Sequence, residues 1–345
     1  MAIAVVGAGS WGTALAHALA RDGTREVTLW ARDPSVADVI ARTRHNPSYL
    51  TDIALDDRVA VSADPAACVD GADIVILAVP TDAMRQVASM LRSLLPRDVV
   101  VVSAAKGFDA ERDLTMTAVL GEILGTDFLE RIVALSGPNI AVEIARGLPA
   151  ATVVAGHEAA ANAVRDACTS TSLRVYSTTD CIGVEFAGAL KNIVGIAAGA
   201  CDGMGAGDNG KAAIITRGLA EMARLGVAAG AHVITFAGLA GLGDCVVTCM
   251  SPHSRNRRFG EAIARGVSLD DAVARIAMTI EGINATRVAA RLAVQLGVEM
   301  PITSEVHAVL FEGKPVSAAL ADLMSRDPAV EVRGLVPPRV EDGAG

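Results

Sequence analysis

Aromatic residues are scarce, 3% of 345, so a large core has to be built from Ala, Val, Leu and Ile rather than from packed rings. Basic clusters are missing too. The formal net charge is −9, from 30 Lys and Arg against 39 Asp and Glu, and no long Lys/Arg run occurs. This excludes a nucleic-acid partner, which needs a clustered basic footprint. A phosphorylated small molecule stays possible, because a few local arginines outweigh a diffuse negative field. The six cysteines (Cys68, Cys168, Cys181, Cys201, Cys245 and Cys249) contain no CxxC pair and no metal-like spacing with His, so reduced thiols and no metal are expected. Cys245 and Cys249, four apart, would share one face of a helix. The first residues, Met1 to Val6, lack the basic leader of a secretory signal and run straight into glycines, which reads as a first strand. Residues 225–243 carry no formal charge over nearly the length of a membrane span. Their glycines and their alanine-rich apolar content point instead to two short packed segments around a loop, so no membrane insertion is expected.

What is present is a hydrophobic share of 52% over a length that suits two domains. Short β-branched runs at 3–6, 27–31, 74–79, 99–103, 132–135, 151–154 and 174–176 alternate with helical patterns at 11–21, 84–95, 114–124 and 158–169. Strands that are continuously apolar, separated by helices, signal a mostly parallel sheet covered on both faces. The rhythm stops near Asp180. Beyond it, segments rich in Ala, Leu, Met and Gly at 181–200, 210–226, 257–265, 269–277, 283–296 and 302–310 read as helices. The expected fold class is therefore an α/β Rossmann-type doubly wound sheet followed by an all-helical domain. The divisions are 1–180 for dinucleotide binding, 181–330 for substrate and 331–345 for a frayed tail, with the site in the cleft between the domains.

Gly7-Ala8-Gly9-Ser10-Trp11-Gly12 follows the first strand and opens a helix. Gly7 allows the tight turn, Gly9 lets the backbone approach a pyrophosphate, and Gly12 permits close helix–strand packing. The helix N-terminus presents free N–H groups to the phosphates, so Ser10 and Trp11 fall on the cofactor side as well. Lys191 is the only charged residue between Glu185 and Asp202, in an otherwise small and apolar helix. It either snorkels to the surface or is partly buried and poised for proton transfer. Lys106 follows the 99–103 strand, at the edge where doubly wound folds place ligands, although a plain loop lysine would sit there equally well. Ser254-Arg255-Asn256 precedes a helix and suits a phosphate dianion; the alternative is an ordinary N-cap followed by a solvated basic turn at Arg257 and Arg258. Asp244 closes a glycine-rich run and could be a turn residue.

Taken together, several segments resemble the bacterial NAD(P)-dependent glycerol-3-phosphate dehydrogenase family. They are GAGSWGTAL at 7–15, AAKG at 104–107, SGPNIAVE at 136–143, LKN at 190–192, TRGLAEMARL at 216–225, LAGLGD at 239–244 and SPHSRNRRFG at 251–260. The likeness spans residues 3–311. It implies interconversion of sn-glycerol 3-phosphate and dihydroxyacetone phosphate, which in bacteria supplies phospholipid synthesis. By resemblance, Lys191 matches the proton acceptor, and Lys106 a contact to both substrate and cofactor. Gly137 and Ala141 match backbone contacts. Asp244, Ser254, Arg255 and Asn256 match the substrate set, with Arg255 and Glu281 also on the cofactor. Asn139 departs from the Ser or Thr usual there, which predicts altered contact geometry rather than lost activity. Cys245 stands where an aliphatic residue is usual and Gly210 where a larger one is.

The second strand ends in Trp30-Ala31-Arg32-Asp33. An acidic residue at that point takes the ribose hydroxyls of NAD, and an arginine accommodates a 2′-phosphate. Arg32 is nearer the strand and matches a cofactor arginine of the family, whereas Asp33, before Pro34, suits a helix cap. NADP(H) is expected in preference, with NAD(H) usable. Hydroxyacid and 6-phosphogluconate dehydrogenases share this general plan, but the SRN and LKN segments argue against them. A silent NAD(P)-binding regulator would have no reason to keep Lys191, Lys106 and Arg255 together. The Gly/Ala-rich helices of the second half suit a homodimer, and the reduced thiols suit the cytoplasm.

Overall fold

A computed structural model of the chain describes residues 1–276 and 278–326. The tail expected at 331–345 lies outside the described residues. The strands are β1 (Ala2–Val6), β2 (Glu26–Trp30), β3 (Val59–Ser62), β4 (Ile74–Leu77), β5 (Val100–Ser103), β6 (Phe108–Asp109), β7 (Leu114–Thr115), β8 (Ile132–Ser136), β9 (Ala150–Gly156) and β10 (Leu173–Thr178). Among them run α1 (Ser10–Ala20), α2 (Pro34–Thr43), α3 (Pro65–Val69), α4 (Thr81–Leu91), α5 (Met116–Leu124), α6 (Ala141–Ala145) and α7 (Glu158–Cys168). After β10 the described chain is helical: α8 (Cys181–Met204), α9 (Gly207–Ala228), α10 (Asp244–Met250), α11 (Arg255–Ala264), α12 (Leu269–Ile276), α13 (Glu281–Leu296), α14 (Pro301–Phe311) and α15 (Val316–Ser325).

The large sheet has the order β10-β9-β8-β5-β4-β1-β2-β3. The chain therefore reverses its direction of travel between β1 and β4, and ligands of such sheets bind outside the carboxyl ends of the strands at that point. Within this sheet the described pairings are parallel except β8 with β9, while β6 and β7 form a separate antiparallel pair. The segment from Gly137 to Pro149, which contains the five-residue α6, returns the chain antiparallel along the same edge. That return places Gly137, Asn139 and Ala141 at the carboxyl edge. β3 escapes the sequence reading because it is a four-residue edge strand, half exposed, whose apolar pattern is too brief to register.

Apolar side chains fill both faces of the sheet, mostly Val, Ile, Leu and Ala, as the shortage of aromatics requires. A third cluster surrounds α8 and continues onto β6, β8 and β9 through Phe108, Ala134 and Ala155. The helices thus close over one end of the sheet. α8 is long and apolar enough to cross a membrane, yet 89% of its most apolar window is buried inside the protein, so it is a core helix. The uncharged stretch 225–243 consists of the end of α9, a 3-10 turn (Val233–Ala237) and a π turn (Leu239–Gly243), the short packed pieces expected.

Candidate active site

A cleft of about 420 Å³ opens at the carboxyl edge of the sheet, between the glycine turn and the helices. Lys191 projects from α8 into it and is only 7% exposed, so the snorkelling alternative does not apply. Its ammonium donates to Asp244 Oδ1 and, at 2.7 Å, to Thr248 Oγ1. Lys106, on the loop after β5, donates to the other carboxylate oxygen of Asp244 at 2.8 Å and to the Gly137 carbonyl at 2.7 Å. Asp244 is 1% exposed and begins α10. It is therefore more than a turn residue, since one carboxylate holds two amines side by side. Burial is the main cause lowering the Lys106 amine to about 8; Asp244 opposes the shift, and Lys191 and Arg255 add to it. The site carries net positive charge facing the cleft, as a phosphorylated ligand requires.

A chain of amides fixes this arrangement. Asn192 donates to the Lys106 carbonyl at 3.1 Å and accepts from Asn256 Nδ2 at 2.8 Å. Asn256 in turn accepts from the Gly282 amide at 3.1 Å. One buried network so joins the sheet edge, α8, α11 and the start of α13.

Ser254 is the N-cap of α11, its hydroxyl accepting from the Arg257 amide. The cap of the second reading is therefore present, and Ser254, Arg255 and Asn256 all border the cleft. Arg257 is not solvated, because it pairs with Asp202 and Glu261, whereas Arg258 is exposed and lines the cleft. Arg255 is braced by donating to the Thr279 carbonyl at 2.8 Å. Burial lowers its pKa, with Glu281 opposing. Glu281 starts α13 and accepts from the Thr81 hydroxyl at 2.6 Å and its amide at 3.2 Å. Burial raises its pKa.

On the other wall, Gly7 has φ +115°, and a Cβ there would lie 2.8 Å from the Ala78 carbonyl oxygen; a Cβ on Gly12 would lie 1.9 Å from the Gly7 oxygen. These two glycines stand behind the cleft and let α1 pack onto the turn. A Cβ on Gly9 would meet nothing within 4 Å, and Gly9 borders the cleft with Ser10 and Trp11. α1 begins there without a side-chain cap, and the buried indole Nε1 of Trp11 has no partner among the described residues. Open space, uncapped amides and a free donor fit the phosphates of a dinucleotide.

Ala141 and Asn139 also border the cleft. Thr152 Oγ1 donates to the Ser136 carbonyl, so it must accept from Asn139 Nδ2, and the buried Asn139 Oδ1 has no partner among the described residues. Arg32 lies apart, exposed beyond the end of β2. The Asp33 carboxylate caps α2, accepting from the Ser35 amide and hydroxyl. Sequence reading missed Thr248, Asn192 and Tyr49 as site residues. Thr248 stands one helical turn after Asp244, a spacing that becomes a signal only once α10 is known. Cys245 and Cys249 are both buried free thiols on α10.

Comparisons with known proteins find matches along both halves of the chain. The family model for the NAD-dependent glycerol-3-phosphate dehydrogenase N-terminus matches residues 2–162, and that for the C-terminus matches 180–321. The chain is 48% identical over 331 residues to glycerol-3-phosphate dehydrogenase (NAD(P)+) of Moorella thermoacetica, covering 96% of this chain and 97% of that protein. It is 49% identical to the protein of the same name from a Parafrankia species, covering 96% and 98%. The crystal structure of glycerol-3-phosphate dehydrogenase from Coxiella burnetii superposes with a TM-score of 0.88 at 36% identity, covering 94% of this chain and 99% of that one. Matched in sequence and in fold over nearly its whole length, the chain belongs to the NAD-dependent glycerol-3-phosphate dehydrogenase family.

Proposed function

We propose that this chain interconverts dihydroxyacetone phosphate and sn-glycerol 3-phosphate, using a nicotinamide dinucleotide. The observation that carries this reading is the pair of lysines held on the Asp244 carboxylate, beside a glycine turn shaped for phosphates. The dinucleotide, when bound, supplies the redox equivalents; Gly9, Ser10 and Trp11 would hold its pyrophosphate. Lys191 uses two of its three N–H bonds on Asp244 and Thr248 and keeps one for a substrate oxygen. It gives a proton to the ketone oxygen on reduction and takes it back from the hydroxyl on oxidation. Lys106 adds positive charge where that oxygen becomes negative, and the amide chain through Asn192 keeps both amines in place. The α11 N-terminus and Arg255 take the phosphate.

A guanidinium fork on a phosphate is worth about 1.5–3 kcal/mol, or roughly ten- to a hundredfold in affinity. Arg255→Ala should therefore raise KM for dihydroxyacetone phosphate by that factor and change KM for unphosphorylated dihydroxyacetone far less. Steady-state kinetics with both ketones decide the point: equal effects would remove Arg255 from the phosphate.

The relatives' names allow both NAD and NADP. We further propose a preference for NADP(H) set by Arg32, a reading supported by the engagement of the neighbouring Asp33 carboxylate as a helix cap. Arg32→Ala should lower the ratio of kcat/KM for NADPH over NADH by about tenfold, the worth of one charge-assisted contact. A wild-type preference for NADH, or an unchanged ratio, would reject Arg32 as the selector. The division into units at 1–180 and 181–330, supply of phospholipid synthesis, a cytoplasmic location and a homodimer belong to the same proposal. The free thiols support the cytoplasm. Apolar side chains left exposed on α10 and the turns before it, Ile234, Leu242, Val246 and Met250, support association.

A further inference from the structure

The loop between α2 and β3 forms one wall of the cleft through Tyr49 and Leu50. It closes on itself, the Leu55 amide donating to the Arg44 carbonyl at 2.7 Å. Two non-glycine residues in it have left-handed backbones, Arg44 (φ 60°) and Leu50 (φ 54°). Such conformations persist only where surrounding bonds over-determine them. Here much of that determination comes from one side chain, Asn46, which is 0% exposed. Its Nδ2 donates to the Ala8 carbonyl and to Thr13 Oγ1, both at 2.9 Å. Its Oδ1 accepts from the Ser48 amide at 3.0 Å and the Tyr49 amide at 3.1 Å.

Ala8 lies inside the glycine turn, and Thr13 is in the first turns of α1, its amide bonded to the Gly9 carbonyl. One planar amide thus uses its two N–H donors to grip the phosphate turn and both lone pairs of its one oxygen to shape the loop. Only a carboxamide has that combination of groups. Aspartate keeps the acceptors but would set a carboxylate against the Ala8 carbonyl. Arg255 lines the same cleft as Tyr49 and Leu50. Displacing the loop therefore changes the width of the dinucleotide subsite and leaves Lys191, Lys106 and Asp244 untouched.

We infer that Asn46 is a positioning residue for cofactor binding: it locks the loop bearing Tyr49 and Leu50 to the glycine turn, so that both sides of the subsite keep one spacing. The inference rests on the reading that this cleft takes a nicotinamide dinucleotide.

The test is NADPH titration of the free enzyme by fluorescence, without substrate, for Asn46→Asp and Asn46→Ala. It is joined by hydrogen exchange of the 46–50 segment and by steady-state kinetics at saturating NADPH. The expected result for Asn46→Asp is a Kd for NADPH raised about tenfold or more, since two buried hydrogen bonds are lost. Exchange at Ser48 and Tyr49 should quicken, while kcat and the KM for dihydroxyacetone phosphate stay within about threefold of wild type. In a Tyr49→Ala background the Asn46→Asp penalty should shrink, because the two residues act as a unit. If the Asn46 variants fail to fold, Thr13→Val removes one tether with little change of volume and should move the Kd the same way. An unchanged Kd in a folded variant, a penalty that simply adds to that of Tyr49→Ala, or a fall in kcat matching the loss of binding would each overturn the inference. An enzyme that binds NADPH as described but does not turn over dihydroxyacetone phosphate would overturn the proposed activity and leave this inference standing.

Discussion

Replacing Lys191 with alanine should lower kcat by about 10²–10⁴-fold, the usual weight of a positioned proton donor, while the Kd for the cofactor stays near wild type. The chain should still fold, because Asp244 keeps Lys106 as a partner and the truncated position lies beside the cleft rather than in the apolar core. Substrate affinity should change far less than kcat, since the phosphate contacts lie on α11. Stopped-flow single turnovers with enzyme in excess measure the chemical step directly and exclude product release as the cause of a slow kcat. A variant whose single-turnover rate is near wild type would remove Lys191 from proton transfer and turn attention to Lys106.

Asp244→Ala should have the largest effect on stability. It leaves two buried ammonium groups with no counter-charge, and removing one partner of a buried ionic network costs about 3–5 kcal/mol. Activity should fall as well, because the two amines lose the carboxylate that sets their spacing. The stability loss carries a pH signature. Burial already lowers the Lys106 amine to about 8, and Asp244 is what opposes a further fall. Without Asp244, Lys106 should lose its proton at still lower pH. A lysine whose folded value lies below its unfolded value weakens the fold while both states are protonated. That penalty is relieved as pH rises from the folded value toward the unfolded one, about 10.4. Urea unfolding of wild type and variant at pH 7 and pH 9.5 should therefore show a gap that narrows at the higher pH. A gap that is constant or widens with pH would mean that Asp244 stabilises the fold by packing or capping and not as the counter-ion of the lysines.

Much of this protein was legible locally. The turn at Gly7–Gly12 announces itself through three glycines at offsets that its geometry uses one by one. The strand–helix rhythm and its end near Asp180 follow from periodicity, which is a property of neighbours in the chain. Lys191 stands out because a charge in a small, apolar helix has few bland explanations. Asp33 reads correctly as a cap because capping is decided within three residues. Where the pattern was short, as in β3, or where a connection altered strand direction, as between β8 and β9, the local signal was too weak to decide.

Residue types, the order of elements and the positions of lone charges were set by the sequence itself, because turns, caps and apolar periods act over a few residues. The meaning of Asp244 was not among them, since in the sequence it could equally close a turn. It became the centre of the site only when packing brought it to Lys191, 53 residues away, and to Lys106, 138 residues away. Asn46 is similar: its bonds to Ala8 and Thr13 span 38 and 33 residues. Contacts of that range depend on how the helices close over the sheet edge, and that closure follows from the summed burial of the α8 core and not from any short pattern of residues.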